Sequence, residues 1–176
     1  QGVIYIVRDP RNIITSVLNY FQKSNYQDAL NFMVDSKKIL GGSNNEFGVP
    51  TIISSWSNHY NSWKKMKKNY LLIRYEDLIS DTFNQFNKIV DYLKRNLNLK
   101  FETNLIENSI KNCDFKKLTD YENKHGFVEA SKDKSGNLKK FFFLGPQNKW
   151  QEILDNKTKS NIEKSFENEM KELNYL

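Results

Sequence analysis

The chain has 176 residues and one cysteine, so its length suits a single domain, and both an internal disulfide and a cysteine-rich metal site are excluded. Its net charge of +6 and pI of about 9.2 favour an anionic partner, whether nucleic acid, a phosphorylated small molecule or an acidic acceptor. A hydrophobic content of 38% predicts a modest core, and no apolar run approaches the roughly 20 residues that span a bilayer.

The first predicted elements are a strand and a helix joined by a tight turn. Val3–Val7 is a run of β-branched and aromatic residues without alternation, which is typical of a strand buried on both faces of a parallel sheet. Asp9 and Pro10 then suit the N-cap and the first position of a helix. Arg8 ends the strand and Ser16 lies within the first two helical turns, an arrangement that predicts a phosphate site. The alternative is that Arg8 pairs with a nearby carboxylate and Ser16 is simply a small helical residue.

The next stretch, residues 22–49, is polar and carries turn signals around Gly41–Asn45. A short helix is expected within Asp28–Leu40, and long excursions of this kind are often functional loops. Pro50 is then predicted to open a long helix. The aromatic residues of that helix recur at helical spacing and are expected to pack in the core: Trp56, Tyr60 and Trp63.

The second half of the chain predicts one further strand followed by helices. Tyr70–Tyr75 is an apolar run typical of a buried strand, and Asp81 or Thr82 is expected to cap the next helix. The remaining predictions are a short helix at Thr103–Lys111, an irregular segment at Cys113–Ser135, and a final helix after Asp155 with Ile162, Phe166, Met170 and Leu173 directed inward.

Two strands are too few for a stable sheet that is covered on both faces. We therefore expect one α/β domain over residues 1–176 whose sheet is incomplete, with the other strands upstream of Gln1. On its own such a chain should expose apolar surface and be unstable. The lone cysteine and the lack of a signal peptide fit a cytoplasmic location, and an upstream targeting segment stays open.

The sequence contains none of the common catalytic or metal-binding motifs. His59 and His125 have no metal-ligand spacing, and HExxH, CxxC and EF-hand patterns are absent. There is no Gly-rich phosphate loop or nucleophile elbow, and basic residues do not interleave with aromatic residues as in nucleic-acid-binding modules. We interpret His59 as a hydrogen-bonded structural histidine. The residues alone thus offer one candidate anion site at Arg8 and Ser16, with Tyr75 at a second strand end.

Five segments in chain order resemble the sulfotransferases that use 3′-phosphoadenosine-5′-phosphosulfate (PAPS). The first, Tyr5–Arg11 with Ser16 eight residues after Arg8, is similar to the family's 3′-phosphate-binding segment. The others are similar to its G-x-W-x-x-H helix, its strand ending in Tyr-Glu-Asp, its Ser-Phe-x-x-Met/Leu segment and its C-terminal RKGxxGxW region: Phe47–Gly48 with Trp56–His59, Leu72–Leu78, Asp114–Leu118, and Gly145 with Trp150. The resemblance covers essentially the whole chain.

The resemblance implies a P-loop-NTPase-like parallel sheet flanked by helices. It implies in-line transfer of a sulfuryl group from PAPS to a hydroxyl or amine of a small-molecule or glycan acceptor, which leaves adenosine 3′,5′-bisphosphate (PAP), with no metal and no nucleic-acid partner. Arg8 and Ser16 would bind the 3′-phosphate, for which a guanidinium and a hydroxyl are suited. The other implied nucleotide-binding residues are Tyr75, Cys113, Phe115, Phe143, Leu144 and Gly145.

The resemblance also implies what this chain lacks. The family's phosphosulfate loop, its lysine and its catalytic base all precede the segment that starts here, so we expect no catalytic residue in the chain. Residues 22–49 and Tyr20 would help to shape the acceptor pocket. The acceptor itself is not identified by the sequence.

The chain departs from the family pattern at the phosphate ligands. Aligned on Trp150, the family's Arg-Lys-Gly becomes Phe143–Gly145, so two cationic ligands are missing. Backbone amides of that segment, or Lys139, Lys140 and Lys149, are the candidate replacements, and nucleotide affinity should fall without them. Cys113 replaces a threonine and is a weaker hydrogen-bonding partner.

Three readings therefore remain in view. A sulfotransferase is favoured, and a degenerate, non-catalytic nucleotide-binding relative is the first alternative. A basic nucleic-acid-binding domain, supported only by the net charge, is the second. The family's dimerisation signature is absent, which leaves the oligomeric state open.

Overall fold

A computed structural model of the chain describes residues 2–41, 49–66, 69–97, 102–133 and 135–176. The chain divides into two compact units. We call Gln1–Val7 with Leu71–Lys149 the sheet unit, and Arg8–Tyr70 with Trp150–Leu176 the helical unit. The turn predicted at Gly41–Asn45, apart from Gly41, and the Phe47–Gly48 motif lie outside the described residues.

The described residues form short strands and many helices. In chain order they are β1 (Val3–Val7), α1 (Pro10–Tyr20), α2 (Tyr26–Val34), β2 (Ile39–Leu40), β3 (Thr51–Ile52), α3 (Trp56–Lys64), β4 (Tyr70–Arg74), α4 (Tyr75–Ser80), α5 (Thr82–Leu97), α6 (Thr103–Asn112), α7 (Phe115–His125), a 3-10 turn (Gly145–Gln147), α8 (Trp150–Ile153), α9 (Asn156–Ser165) and α10 (Glu167–Glu172). None of the described helices is long and apolar enough to cross a membrane.

The sheet unit is built on the two predicted strands. β1 and β4 pair side by side in a parallel sheet, and α4 to α7 follow in the same unit. Val7 and Ile73 are buried, whereas Ile6 is 51% exposed. The two-sided burial predicted for β1 is therefore wrong at Ile6, whose side chain the described residues do not cover.

The helical unit has its core where α1, α2, α9 and α10 meet. The buried side chains of this core cluster are apolar: Ile14, Val17, Ala29, Leu30, Met33, Ile162, Phe166 and Met170. The inward positions predicted for the last helix are confirmed, since Ile162, Phe166, Met170 and Leu173 are all buried. The helix itself is divided, because the backbone of Phe166 (φ −128°, ψ 21°) leaves the helical range between α9 and α10.

Two helices of the helical unit begin elsewhere than predicted. The helix expected within Asp28–Leu40 is α2, whose cap is Asn25, and Ile39–Leu40 instead pairs antiparallel with Thr51–Ile52. The helix expected from Pro50 starts at Trp56, because the Ser55 side chain accepts the N–H of Asn58 as an N-cap. The β-branched residues after Pro50 favour the extended conformation that they adopt.

The sheet unit also corrects two predictions. The strand expected to reach Tyr75 ends at Arg74, and Tyr75 begins the unpredicted helix α4. The segment Cys113–Ser135, expected to be irregular, contains the three-turn helix α7. Its N-cap is Asp114, whose carboxylate accepts the N–H groups of Lys116 and Lys117 at 3.0 and 3.3 Å.

Candidate functional site

The start of α1 carries the first candidate residues. Asp9 caps the helix, since its Oδ1 accepts the backbone N–H of Arg11 at 2.9 Å. The Arg11 guanidinium returns to the same carboxylate, with Nη2 donating to Oδ2 at 2.7 Å and Nε donating to both oxygens. Asp9 and Arg11 are buried, and Arg8 beside them is half-buried. The structure thus compensates the carboxylate next to Arg8 with the charge of Arg11.

Arg11 also ties α1 to the last residues of the helical unit. Its Nη1 donates to Glu163 at 2.6 Å, and its Nη2 donates to the carbonyl of Tyr175 at 2.7 Å. The guanidinium lies over the ring of Trp150, 4.1 Å from its centre. Burial lowers the pKa of Arg11. Hydrogen bonds and charge from Asp9, and then from Glu163, outweigh this effect, so the pKa is raised overall and the guanidinium is held charged.

Trp150 is fixed against α1 through its backbone as well. Its N–H donates to Asn12 Oδ1 at 2.9 Å. The Nζ of Lys159, on α9 of the same unit, lies 5.3 Å from the centre of the Trp150 ring. These contacts give Trp150 a structural role within the helical unit.

Ser16 lies on α1, about 9 Å along the helix axis from Pro10 by the ideal helical rise. Its side chain is exposed, whereas the neighbouring Thr15 is buried and donates its hydroxyl to the carbonyl of Asn12 at 2.9 Å. Arg8 and Ser16 both belong to the helical unit. The Ser16 hydroxyl is therefore open to a ligand, as a phosphate-binding serine must be.

In the sheet unit the structure brings two predicted residues together. Phe115 is the first residue of α7, directly after its cap, and is half-buried. Gly145 has φ +51°, and a Cβ placed on it would lie 2.2 to 2.6 Å from atoms of the Phe115 ring. Such distances are far inside van der Waals contact. Gly145 is consequently a position where the backbone approaches the aromatic ring more closely than any side chain permits.

Phe143 and Leu144, which the sequence resemblance aligns with an Arg-Lys pair, precede this contact. Phe143 is 54% exposed, and its N–H donates to the carbonyl of Phe141 at 2.9 Å. Leu144 is half-buried and leads into the 3-10 turn. The Phe143 N–H, one of the backbone donors expected to compensate for the missing cations, is thus already used within the turn.

Tyr75 and Cys113 occupy the ends of elements in the same sheet unit. Tyr75 is half-buried and opens α4 at the carboxyl end of β4. Cys113 follows α6, where its N–H donates to the carbonyls of Ser109 and Ile110, and its side chain is exposed. Tyr75, at the carboxyl end of a strand, lies at a position typical of ligand contacts in open α/β sheets, whereas Cys113 lies between two helices.

Sequence reasoning missed Glu122 of α7. Its side chain is 7% exposed, although it lies in a polar run of the sequence. Oε1 accepts the N–H of Phe141 at 2.6 Å and Oε2 accepts the N–H of Phe142 at 3.0 Å. No signal in the sequence identified it, because its partners are backbone groups about 20 residues away.

His59 contacts a residue of its own helix, α3. Trp63 Nε1 approaches His59 Nε2 at 3.4 Å, which agrees with a hydrogen-bonded structural histidine. Among the residues that the structure describes, no group of three or more His, Cys, Asp or Glu side chains is placed to hold a metal ion.

Sequence comparison finds one family over nearly the whole chain: a sequence model of the sulfotransferase domain matches residues 2–174. Human sulfotransferase 2A1 is 32% identical over 119 residues, which cover 66% of this chain and 38% of that protein. Rat sulfotransferase 2A1 is 32% identical over 100 residues, which cover 54% and 32%. The chain therefore aligns with about a third of the length of these curated relatives.

Two solved structures share the fold. Mouse sulfotransferase SULT7A1, crystallised with PAP, superposes with a TM-score of 0.67 at 19% identity, over 97% of this chain and 58% of that chain. Retinol dehydratase, crystallised with androsterone and the inactive cofactor PAP, gives a TM-score of 0.62 at 19% identity, over 97% and 47%. The α/β fold is thus the P-loop-like fold of sulfotransferases.

Proposed function

The chain belongs to the sulfotransferase family, and on that premise we propose that it holds the 3′-phosphoadenosine end of the sulfuryl donor PAPS. In this proposal Arg8 and Ser16 bind the 3′-phosphate. Residues 2–174, which match one family model, act as part of a single sulfotransferase domain that includes both units.

The start of α1 gives the strongest support. Arg8 stands where β1 ends and α1 begins, so a phosphate there would meet a guanidinium and the positive end of a helix dipole. Asp9 would repel that phosphate if its charge were uncompensated, but three hydrogen bonds from the Arg11 side chain neutralise it. Arg8 and the exposed Ser16 hydroxyl then suit one phosphate group.

We propose Phe115 as the residue that contacts the adenine of the nucleotide. Phe115 presents an aromatic surface suited to a purine, and Gly145 lets the backbone lie directly against its ring. Tyr75, Cys113, Phe143 and Leu144 are proposed as further contacts with the nucleotide. This set is aromatic and apolar where the wider family has two cations, so its affinity for the nucleotide should be weaker.

PAPS supplies the sulfuryl group, which passes directly to a hydroxyl or amine of the acceptor. The residues of this chain hold and orient the donor, which lowers the entropic part of the barrier for in-line transfer. We assign no catalytic base here. A small-molecule acceptor is supported by the retinol dehydratase structure, whose ligand is androsterone. Tyr20 and the described residues of the stretch 22–49, which are 22–41 and 49, are proposed to contact it.

The proposal predicts that Arg8→Ala weakens PAP binding. A guanidinium–phosphate contact is a charged hydrogen bond whose loss should lower affinity by about ten- to a hundredfold. Isothermal titration calorimetry of PAP with the full-length protein measures this loss of affinity. Ser16→Ala, which removes one neutral donor, should lower affinity by a smaller factor.

Arg95→Ala is the matched control, because Arg95 is exposed on α5 and donates to the carbonyl of Asp91 in its own helix. It should leave PAP affinity within about twofold of the wild type. Equal affinities of Arg8→Ala and the wild type would remove Arg8 from the site. A folded protein that binds no PAP at all would refute the proposed function.

A non-catalytic nucleotide-binding relative is the second candidate. It is favoured by Phe143 and Leu144, which carry no charge, and by the engagement of the Phe143 N–H with Phe141. Transfer of labelled sulfuryl from PAPS to a panel of hydroxyl and amine acceptors separates the two functions. PAP binding without transfer to any acceptor would favour the non-catalytic relative.

A further inference from the structure

Glu122 is a buried carboxylate whose hydrogen bonds join two separate parts of the sheet unit. It lies seven residues after Phe115 on α7, which is two helical turns or about 10 Å along the axis. Its two oxygens accept the N–H groups of Phe141 and Phe142, at 2.6 and 3.0 Å. A carboxylate is the side chain that offers two acceptor oxygens and no donor, so it matches two adjacent N–H groups.

The segment that follows is held against α7 at two points. Glu122 fixes Phe141 and Phe142 near the end of the helix, and the close approach of Gly145 fixes the other end at Phe115. Between them, the Phe142 ring meets the Phe115 ring edge to face with centres 6.3 Å apart.

The residues between these points are the ones that depart from the family pattern. Phe143 and Leu144 are bracketed by Phe142 and Gly145, so their path depends on both attachments. Phe141 and Phe142 also pack on Phe127, at 4.6 and 5.1 Å between ring centres, which holds the same segment from another side. The rings supply non-directional packing, whereas Glu122 supplies directional bonds that set the register of the segment on α7.

We propose that Glu122 is a positioning residue that fixes Phe143–Gly145 against Phe115 and thereby sets the affinity for the base of the nucleotide. The inference rests on the proposed function, in which Phe115 contacts adenine. Glu122 acts through the segment and makes no contact with the nucleotide. Its loss should therefore weaken recognition of the base more than recognition of the phosphates, which in this proposal depends on Arg8 and Ser16. Phe143 and Leu144 carry no charge, and the Phe143 N–H is already bonded to the carbonyl of Phe141.

The test compares two ligands on Glu122→Gln: PAP, and a methyl riboside 3,5-bisphosphate that lacks the base. The glutamine keeps the shape of the side chain but turns an NH2 group toward one backbone N–H, so one hydrogen bond is lost. We expect PAP affinity to fall by up to about tenfold, since one charged hydrogen bond is the most that the segment can transmit to the ligand, with affinity for the base-less ligand within about twofold. A purely structural role would weaken both ligands equally.

Asp120→Asn is the matched control, because Asp120 is an exposed carboxylate of the same helix. It should change neither affinity. Hydrogen exchange gives a second readout: the amides of Phe141 and Phe142 should exchange faster in Glu122→Gln than in Asp120→Asn. If Glu122→Gln does not fold, Glu122→Asp, which keeps the charge on a shorter stem, should show the same selective loss for PAP.

Each outcome decides the proposal. An unchanged ratio of the two affinities in both Glu122 variants overturns the positioning role and leaves the proposed function intact. A wild-type protein that binds the base-less ligand as tightly as PAP overturns it too, since no base recognition then exists. A wild type that binds neither ligand refutes the proposed function and this inference with it.

Discussion

Arg8 and Arg11 lie three residues apart, and their surroundings assign them different tasks. Arg11 is buried, bonded to Asp9, Glu163 and a backbone carbonyl, and stacked on Trp150. Its donors are occupied within the protein. Replacing a buried, paired arginine leaves its carboxylate partners uncompensated, so we assign Arg11 a role in stabilising the helical unit. Arg8, half-buried at the strand end, is the arginine that we assign to the ligand.

Gly145→Ala should destabilise the protein more than its backbone conformation alone explains. A Cβ there meets the Phe115 ring at 2.2 to 2.6 Å, so either the ring or the segment must move. Overpacking of this kind costs about 1–3 kcal/mol, in addition to about 1 kcal/mol for a non-glycine residue at positive φ. Urea-induced unfolding measures the sum.

Gly136→Ala separates the two contributions. Gly136 also has positive φ, at +86°, but nothing lies within 4 Å of a Cβ placed on it. It should show the backbone effect alone. Equal losses of stability in the two variants would mean that the Phe115 ring yields without cost, and the close approach would then have no role in shaping the segment.

The sequence predicted the chemistry of single residues where the partners are local. Asp9 as an N-cap followed from its position before Pro10, and the structure confirms it. The bonds from Phe141 and Phe142 to Glu122 span 19 and 20 residues, and the bond from Arg11 to Glu163 spans 152. Such partners depend on tertiary packing, which no spacing rule encodes.

At the scale of elements, α3 is joined to α10 by two glutamates of the helical unit. Glu169 accepts from Ser57 at 2.9 Å and from Asn61 at 2.8 Å. Glu172, one turn later, accepts from Tyr60 at 3.0 Å and pairs with Lys64 at 2.5 Å. The donors recur at helical spacing on α3, so one helix face supplies both pairs.

This contact predicts a loss of stability in acid. The hydrogen bond from Lys64 lowers the pKa of Glu172; burial opposes the shift, and Tyr60 and the Lys64 charge add to it. Because the folded pKa is depressed, the contribution is complete above the unfolded pKa and disappears as pH falls through the folded value. It should be small, about 0.5 kcal/mol, since the Glu172 side chain is 43% exposed and screened by solvent.

Glu172→Gln should therefore lose less stability than the wild type between pH 5 and 3, roughly the range around the carboxyl pKa. Urea unfolding at a series of pH values measures the slope. Glu107→Gln, at an exposed position of α6, is the control and should follow the wild type. A variant slope identical to that of the wild type would show that the α3–α10 contact does not depend on the Glu172 charge.

The elements best predicted from sequence are those with a strong terminal signal or a strong apolar period. α1 has a cap and a proline at its start, and α5 has a full apolar stripe. α7 was missed because its apolar positions are few and charged residues surround them, so the periodic signal is weak. The predicted start of α3 was too early, because Pro50 suits a helix start and an extended segment equally.

At the scale of the molecule, the basic charge admits two classes of partner. A net charge of +6 attracts any polyanion, and such binding weakens steeply as salt rises because counterions are released. A nucleotide held by Arg8, Ser16 and an aromatic surface depends instead on particular groups. The two classes differ in specificity, so one ligand series at two salt concentrations separates them.

PAP should stabilise the protein selectively. At a concentration about 100-fold above its Kd, a ligand that binds the folded state adds about 2.7 kcal/mol. For a chain of this length that corresponds to a rise in Tm of roughly 5–10 °C. Adenosine 5′-monophosphate, which lacks the 3′-phosphate, should give a smaller rise at equal concentration, and Arg8→Ala should remove most of the difference. Equal shifts with both nucleotides, or a larger shift with DNA that vanishes in salt, would favour the nucleic-acid-binding alternative, because a general attraction for anions would then account for the binding.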